Sequence, residues 1–168
     1  MAGSLNDILA EPISPENEAI LLDHLKGKLR TAATMMVDVF HAFEERFGPE
    51  AREVIADLAN RTYPPRPDAG DPRQDLHDFC DRLDRGCAGT HKWERVSDEP
   101  DRIAYSYTRC MWAELFHELG EPELGFLWCA GDEPAVRAYN SKLRFERTKV
   151  LMHGDEECDH VFAVADAA

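Results

Sequence analysis

Near residue 90 the hydrophobic period of this 168-residue chain changes. Before that point apolar side chains return every three or four positions. Leu22, Leu25, Leu29, Ala32, Met36, Phe40, Phe43 and Phe47 form one stripe of about seven helical turns. After it, residues 91–97 (HKWERVS) and 102–109 (RIAYSYTR) alternate and are rich in Trp, Val, Ile and Tyr. A 3.6-residue period buries one face of a helix, and a period of two buries one face of a strand. A chain that keeps the two in separate stretches folds as an α+β domain.

The punctuation refines this reading. Ser14-Pro15-Glu16-Asn17 starts the first helix as a cap followed by proline in the first turn, and Gly48-Pro49 stops it. A second helix is expected over 49–61 and a third from Pro72 to Gly86, with 63–70, rich in Pro, Gly and Asp, as a mobile loop between them. Asp98-Glu99-Pro100-Asp101 turns the two alternating stretches into a hairpin. Helical spacing returns over Cys110–Leu119 and Glu123–Tyr139, where Gly131 and Pro134 mark a break near Asp132. Leu143–Met152 and Cys158–Ala165 read as strands flanking His153-Gly154-Asp155-Glu156. The expected order is ααα-ββ-αα-ββ, N-terminal helices packed on a small antiparallel sheet. Residues 1–16, broken by Pro12 and Pro15, are expected to be a flexible lead-in. Residues 17–168 then form one domain, with a helical half at 17–90 and a half at 91–168 that carries the chemistry.

A net charge of -14 removes whole classes of partner. Phosphate binding needs clustered basic surface, so nucleic acid is excluded, and an anionic membrane would repel the chain. No apolar run approaches the ~20 residues of a membrane span, and the first residues lack the basic start of a signal peptide. The expectation is a cytoplasmic protein whose five cysteines are reduced thiols and whose partner is a small molecule. The stripe from Leu22 to Phe47 is longer than a small domain covers, which leaves room for a homo-oligomer.

Three of those cysteines lie close to a carboxylate: Cys110 four residues before Glu114, Cys129 three before Asp132, and Cys158 next to Asp159. A thiolate attacks electron-poor carbon and a carboxylate moves protons, so the segment suits hydrolytic chemistry. Cys80 lies on an apolar helix face and reads as core, while Cys87, between Gly86 and Gly89, reads as incidental. His91, His153 and His160 fall in the β part, within reach of the cysteines; His24, His41, His77 and His117 sit on helices. Zinc would take Cys110, Cys129, Cys158 and a carboxylate or histidine, but the close-spaced pairs that anchor zinc are missing and no cofactor is required. Arg147 lies in a strand whose alternation does not separate the faces. It either points inward to bind a carboxylate as a fork or pairs across the sheet with Glu94 or Asp159. There is no glycine-rich phosphate loop, GxSxG, HExxH or CxxC.

The runs TRCMWAELFHELGEPELGFLWCAGD and LRFERTKVLMHGDEECDHVF carry a resemblance. In order they present Arg109, Cys110 and Glu114; Glu118 to Gly120; Cys129 and Asp132; Arg147 and Thr148; and Gly154, Asp155, Cys158 and Asp159. This pattern resembles the L-2-amino-thiazoline-4-carboxylic acid hydrolase family. Two stretches depart from it, His160-Val161 after the final Cys-Asp and Ala138-Tyr139-Asn140-Ser141 before the strand. The resemblance implies water adding to the amidine carbon of a small heterocycle and opening a C–N or C–S bond. Catalysis would fall to Cys129, Asp132, Cys158, Asp159, Cys110 and Glu114, and substrate binding to Arg147 and Arg109. The alternative is a non-catalytic ligand- or metal-binding protein that uses the same Cys/Asp cluster.

Overall fold

The computed structural model describes residues 2–61 and 75–165. The expected mobile loop at 63–70 lies outside them. Helix α1 (Pro15–Phe47) starts where the Ser14 hydroxyl accepts the Asn17 amide at 3.2 Å and ends at Gly48, whose φ of 80° is one that L side chains rarely adopt. It buries Ala33, Val37 and Phe40, with Leu29 and Met36 packed beside them. The stripe does not stay covered to its end. Phe43 and Phe47 are 47% and 61% exposed and rest on each other, ring centroids 5.3 Å apart. Helices α2 (Ala51–Arg61) and α3 (Leu76–Cys87, capped by Asp75) complete the helical half.

Strands β1 (His91–Glu99) and β2 (Arg102–Cys110) form the expected hairpin. Helices α4 (Met111–Glu118), α5 (Pro122–Cys129) and α6 (Asp132–Tyr139) follow, the last two divided at Ala130-Gly131, next to the break that Gly131 and Pro134 mark in the sequence. Strands β3 (Leu143–Glu146) and β4 (Cys158–Val164) close an antiparallel sheet of order β1-β2-β4-β3. The domain is α+β, as expected.

Two departures bear on the site. Strand β3 was expected to reach Met152 and stops at Glu146, because Asp159 takes the amides of Thr148 and Lys149 at 2.7 and 2.5 Å. Those amides are lost to the ladder, and the chain leaves the sheet carrying Arg147 with it. The lead-in is also held rather than free: Ala2 and Trp93 exchange backbone hydrogen bonds, and Gly89 donates to the Gly3 carbonyl at 2.9 Å. It thereby covers the outer edge of β1. Among the described residues no helix is long and apolar enough to cross a membrane.

Candidate functional site

A cavity of about 520 Å³ lies between the sheet and the helices α1, α3, α4, α5 and α6. The sheet supplies its floor by strict alternation. On β4, Cys158, His160 and Phe162 project to one face and line the cavity, while Asp159 between them projects to the other. On β2 the register shifts by one residue, Lys92 pairing Arg109 and Trp93 pairing Tyr107. The extra residue, Thr108, is a bulge, so Tyr107 and Cys110 share the cavity face and Arg109 is turned away. Gly125 on α5 lets the helix close in from above. A Cβ there would stand 2.7 Å from Phe116 Cγ and 2.6 Å from Met152 Sδ.

Arg147 and Asp132 form the polar centre of the wall. The guanidinium donates to the Asp132 carboxylate at 2.7 Å and to the Cys129 carbonyl at 3.3 Å. Its side chain is only 10% exposed and lies over the rings of Phe126 and Phe145, 5.7 and 5.4 Å from their centroids. Asp132 lines the cavity with 43% of its side chain exposed, yet many protein atoms surround the carboxyl. Burial therefore pushes its carboxyl above the usual range, and Arg147 pulls it partly back. Its place in the first turn of α6 also favours the ionised form. Among the described residues, Asp132 is the sole carboxylate and Arg147 the sole guanidinium lining the cavity.

Cys110, Cys129 and Cys158 all line this cavity. Burial raises each thiol: Cys129 is pushed up to about 12, with the nearby Asp132 charge adding to the effect, and Cys110 to about 11. The first-turn amides of α4, those of Trp112 and Ala113, act the other way on Cys110, although no hydrogen bond closes on its sulfur. Cys158 is also raised by burial, but its Sγ accepts the Leu151 amide at 3.1 Å and Arg147 favours its thiolate. At neutral pH all three rest as thiols.

Cys87, read as incidental, joins the lining, as do His91, His160 and Tyr107. The Thr90 hydroxyl donates to the Cys87 carbonyl at 3.0 Å, so its contact with His91 Nδ1 at 2.8 Å puts the ring proton on Nδ1. Burial lowers the His91 pKa to about 4 and that of His160 to about 3, so both rings stay neutral. The signal for Cys87 was present in the sequence, since it lies at the end of the helix that carries Phe79 and Leu83 to the same cavity.

Other expected site residues fall outside. Arg109 and Glu114 pair as a fork, Nε to Oε1 at 2.5 Å and Nη2 to Oε2 at 3.0 Å, and Lys26 of α1 reaches Glu114 and Glu118. This network ties β2 and α4 to α1, and none of its residues lines the cavity; the arginine beside it holds the Glu114 carboxyl below its usual range. Asp159 caps the 147–149 segment. Burial works against its charge, but hydrogen bonds from Thr148 and Lys149 prevail and hold its carboxyl low. Cys80 is fully buried in the core, and His153 packs on Phe126, ring centroids 4.0 Å apart. Arg147 pairs with neither Glu94 nor Asp159. Among the described residues no three His, Cys, Asp or Glu side chains are grouped to hold a metal ion.

The family model of L-2-amino-thiazoline-4-carboxylic acid hydrolase matches residues 28–162, most of the chain. No curated protein matches it. Among solved structures, the phenol-responsive sensory domain of the transcription activator PoxR with phenol is similar over 79% of this chain and 73% of that one, at 11% identity and a TM-score of 0.44. A trafficking protein particle complex subunit 3 from Naegleria fowleri, covalently bound to palmitic acid, covers 86% of this chain and 82% of its own at 9% identity and a TM-score of 0.29.

Proposed function

The chain belongs to the L-2-amino-thiazoline-4-carboxylic acid hydrolase family, and on that footing we propose that it is a cytoplasmic hydrolase opening a C–N or C–S bond of a cyclic amidine, with Asp132 as its acid–base group. The observation that carries this reading is that, among the described residues, a single carboxylate, lifted by burial and steadied by Arg147, stands on the wall of an otherwise mostly apolar cavity. A protonated ring amidine is a flat cation whose two N–H groups match a carboxylate. Bound to Asp132, it presents an electrophilic carbon. Water adds there, its proton passes to Asp132, and the same proton goes to the departing ring atom as the bond breaks.

The three thiols serve this scheme as neutral lining. A covalent route needs a thiolate, and burial opposes one at Cys110, Cys129 and Cys158 alike. Cys158 is the thiol best placed for that route, with Arg147 and the Leu151 amide favouring its anion. The same protonated thiols and apolar walls favour one second reading, a non-catalytic binder of a small apolar ligand. Screening cyclic amidines, thiazolines, hydantoins and thiohydantoins for ring opening separates the two. A hydrolase turns over at least one, and a binder turns over none while still holding it.

A further inference from the structure

The cavity is larger and more aromatic than ring opening requires. At the ~30 Å³ that one water occupies, the nine heavy atoms of a 2-amino-thiazoline-4-carboxylate fill about 270 Å³ at most, roughly half of the 520 Å³ present. The remainder is walled by side chains that do no acid–base work. Met36 comes from α1, Phe79 and Leu83 from α3, and Trp112 and Phe116 from α4. The rings of Trp112 and Phe116 lie at 29° with centroids 6.4 Å apart, and those of Phe79 and Phe162 at 56° and 5.2 Å, so four aromatic side chains line this part of the cavity, where another aromatic ring finds stacked or edge contacts. The charges point the same way. Among the described residues Arg147 is the only permanent cation on the wall, and each of its terminal nitrogens already gives a hydrogen bond, to Asp132 or to the Cys129 carbonyl, while His91 and His160 stay neutral. A carboxylate on the ligand would meet an arginine whose charge Asp132 already balances, with the Asp132 carboxylate beside it to repel a second anion.

We propose that the ligand is a cyclic amidine carrying an uncharged aromatic substituent, the amidine against Asp132 and the aryl group among Phe79, Trp112, Phe116 and Phe162. The assignment rests on the hydrolase reading for the ring and on the cavity walls for the substituent. Its test compares 2-aminothiazoline bearing hydrogen, phenyl or n-hexyl at C4, with binding followed by calorimetry and by the fluorescence of the lining Trp112 and Trp128, and ring opening followed separately. The phenyl compound should bind about 10- to 100-fold tighter than the unsubstituted ring, the range expected for burying one aromatic group, and tighter than the hexyl compound. Phe79→Leu, which keeps an apolar side chain on α3 and removes its ring from the cavity wall, should narrow the advantage of phenyl over hexyl. Equal affinity for all three, or a hexyl compound bound as tightly as the phenyl one, would overturn the assignment without need of any variant. Ring opening of the unsubstituted compound with no gain from phenyl overturns the substituent and leaves the hydrolase standing. A tight phenyl complex that is never opened upholds the ligand class and removes the hydrolase.

Discussion

Arg147 donates to Asp132 at 2.7 Å from a chain that has just left the sheet, and it leaves because Asp159 has taken the next two amides. Two carboxylates that look alike in sequence thus do different work. Asp159 shapes the backbone on one side of β4, and the shaped backbone delivers an arginine to Asp132 on the other. Replacing Arg147 with Gln keeps a donor and removes the charge that favours the Asp132 carboxylate. The acid limb of the kcat profile should then move to higher pH, because Asp132 would hold its proton longer. A profile that falls uniformly without moving would mean that Arg147 does not act through Asp132.

Arg109 and Glu114 give a contrasting expectation. Their pair is about one-third exposed and anchors α1, so Glu114→Gln should leave turnover within a factor of about two. It should lower stability by roughly 0–1 kcal/mol, the ordinary range for a solvent-screened ion pair. A loss of kcat beyond tenfold with an unchanged melting temperature would return Glu114 to the reaction.

His91 and His160 make stability fall as the solution is acidified. Their folded pKa values, about 4 and about 3, lie below the ordinary value of 6.5, so the unfolded chain binds protons that the folded chain refuses. The stability linked to them is complete above pH 6.5 and is lost on going down through it, by up to about 1.4 kcal/mol per pH unit for each ring. Denaturant titrations between pH 7 and pH 5 should show this slope, and His160→Phe should remove about half of it. A flat response in the wild type over that window would contradict the burial of both rings.

Gly125→Ala sets helix propensity against packing. Alanine favours the α5 helix by about 1 kcal/mol, but its Cβ would meet Met152 Sδ at 2.6 Å and Phe116 Cγ at 2.7 Å, so two packed side chains must shift to admit it. Overpacking of this kind costs about 1–3 kcal/mol. The variant should melt lower than the wild type, and a higher melting temperature would show that Phe116 and Met152 give way.

Much of this was legible in the sequence, and the exceptions have physical causes. The cap at Ser14, the stop at Gly48 and the hairpin turn at 98–101 are local signals, and they hold. Cys110, Cys129 and Cys158 were grouped by their neighbouring carboxylates, yet what joins them in space is the β4 alternation, the Thr108 bulge and the end of α5. A bulge leaves no mark in a period count, so Arg109 looked as eligible as Cys110. The early end of β3 was equally hidden, because it depends on a side chain ten residues or more away. Phe43 and Phe47 continue the spacing of α1, but spacing cannot say whether anything packs over the last turn.

The account centres on Asp132, and the direct measurement is ring opening by Asp132→Asn set beside Cys110→Ser, Cys129→Ser and Cys158→Ser on one cyclic amidine that the wild type consumes. Product gaining one water is followed by mass, with the pH–rate profile recorded for each variant. Asp132→Asn should lower kcat by about 10²- to 10⁴-fold and erase one limb of the profile, while each serine variant keeps kcat within about tenfold. Full activity in Asp132→Asn with activity lost in Cys158→Ser would contradict the account and make the thiol the attacking group.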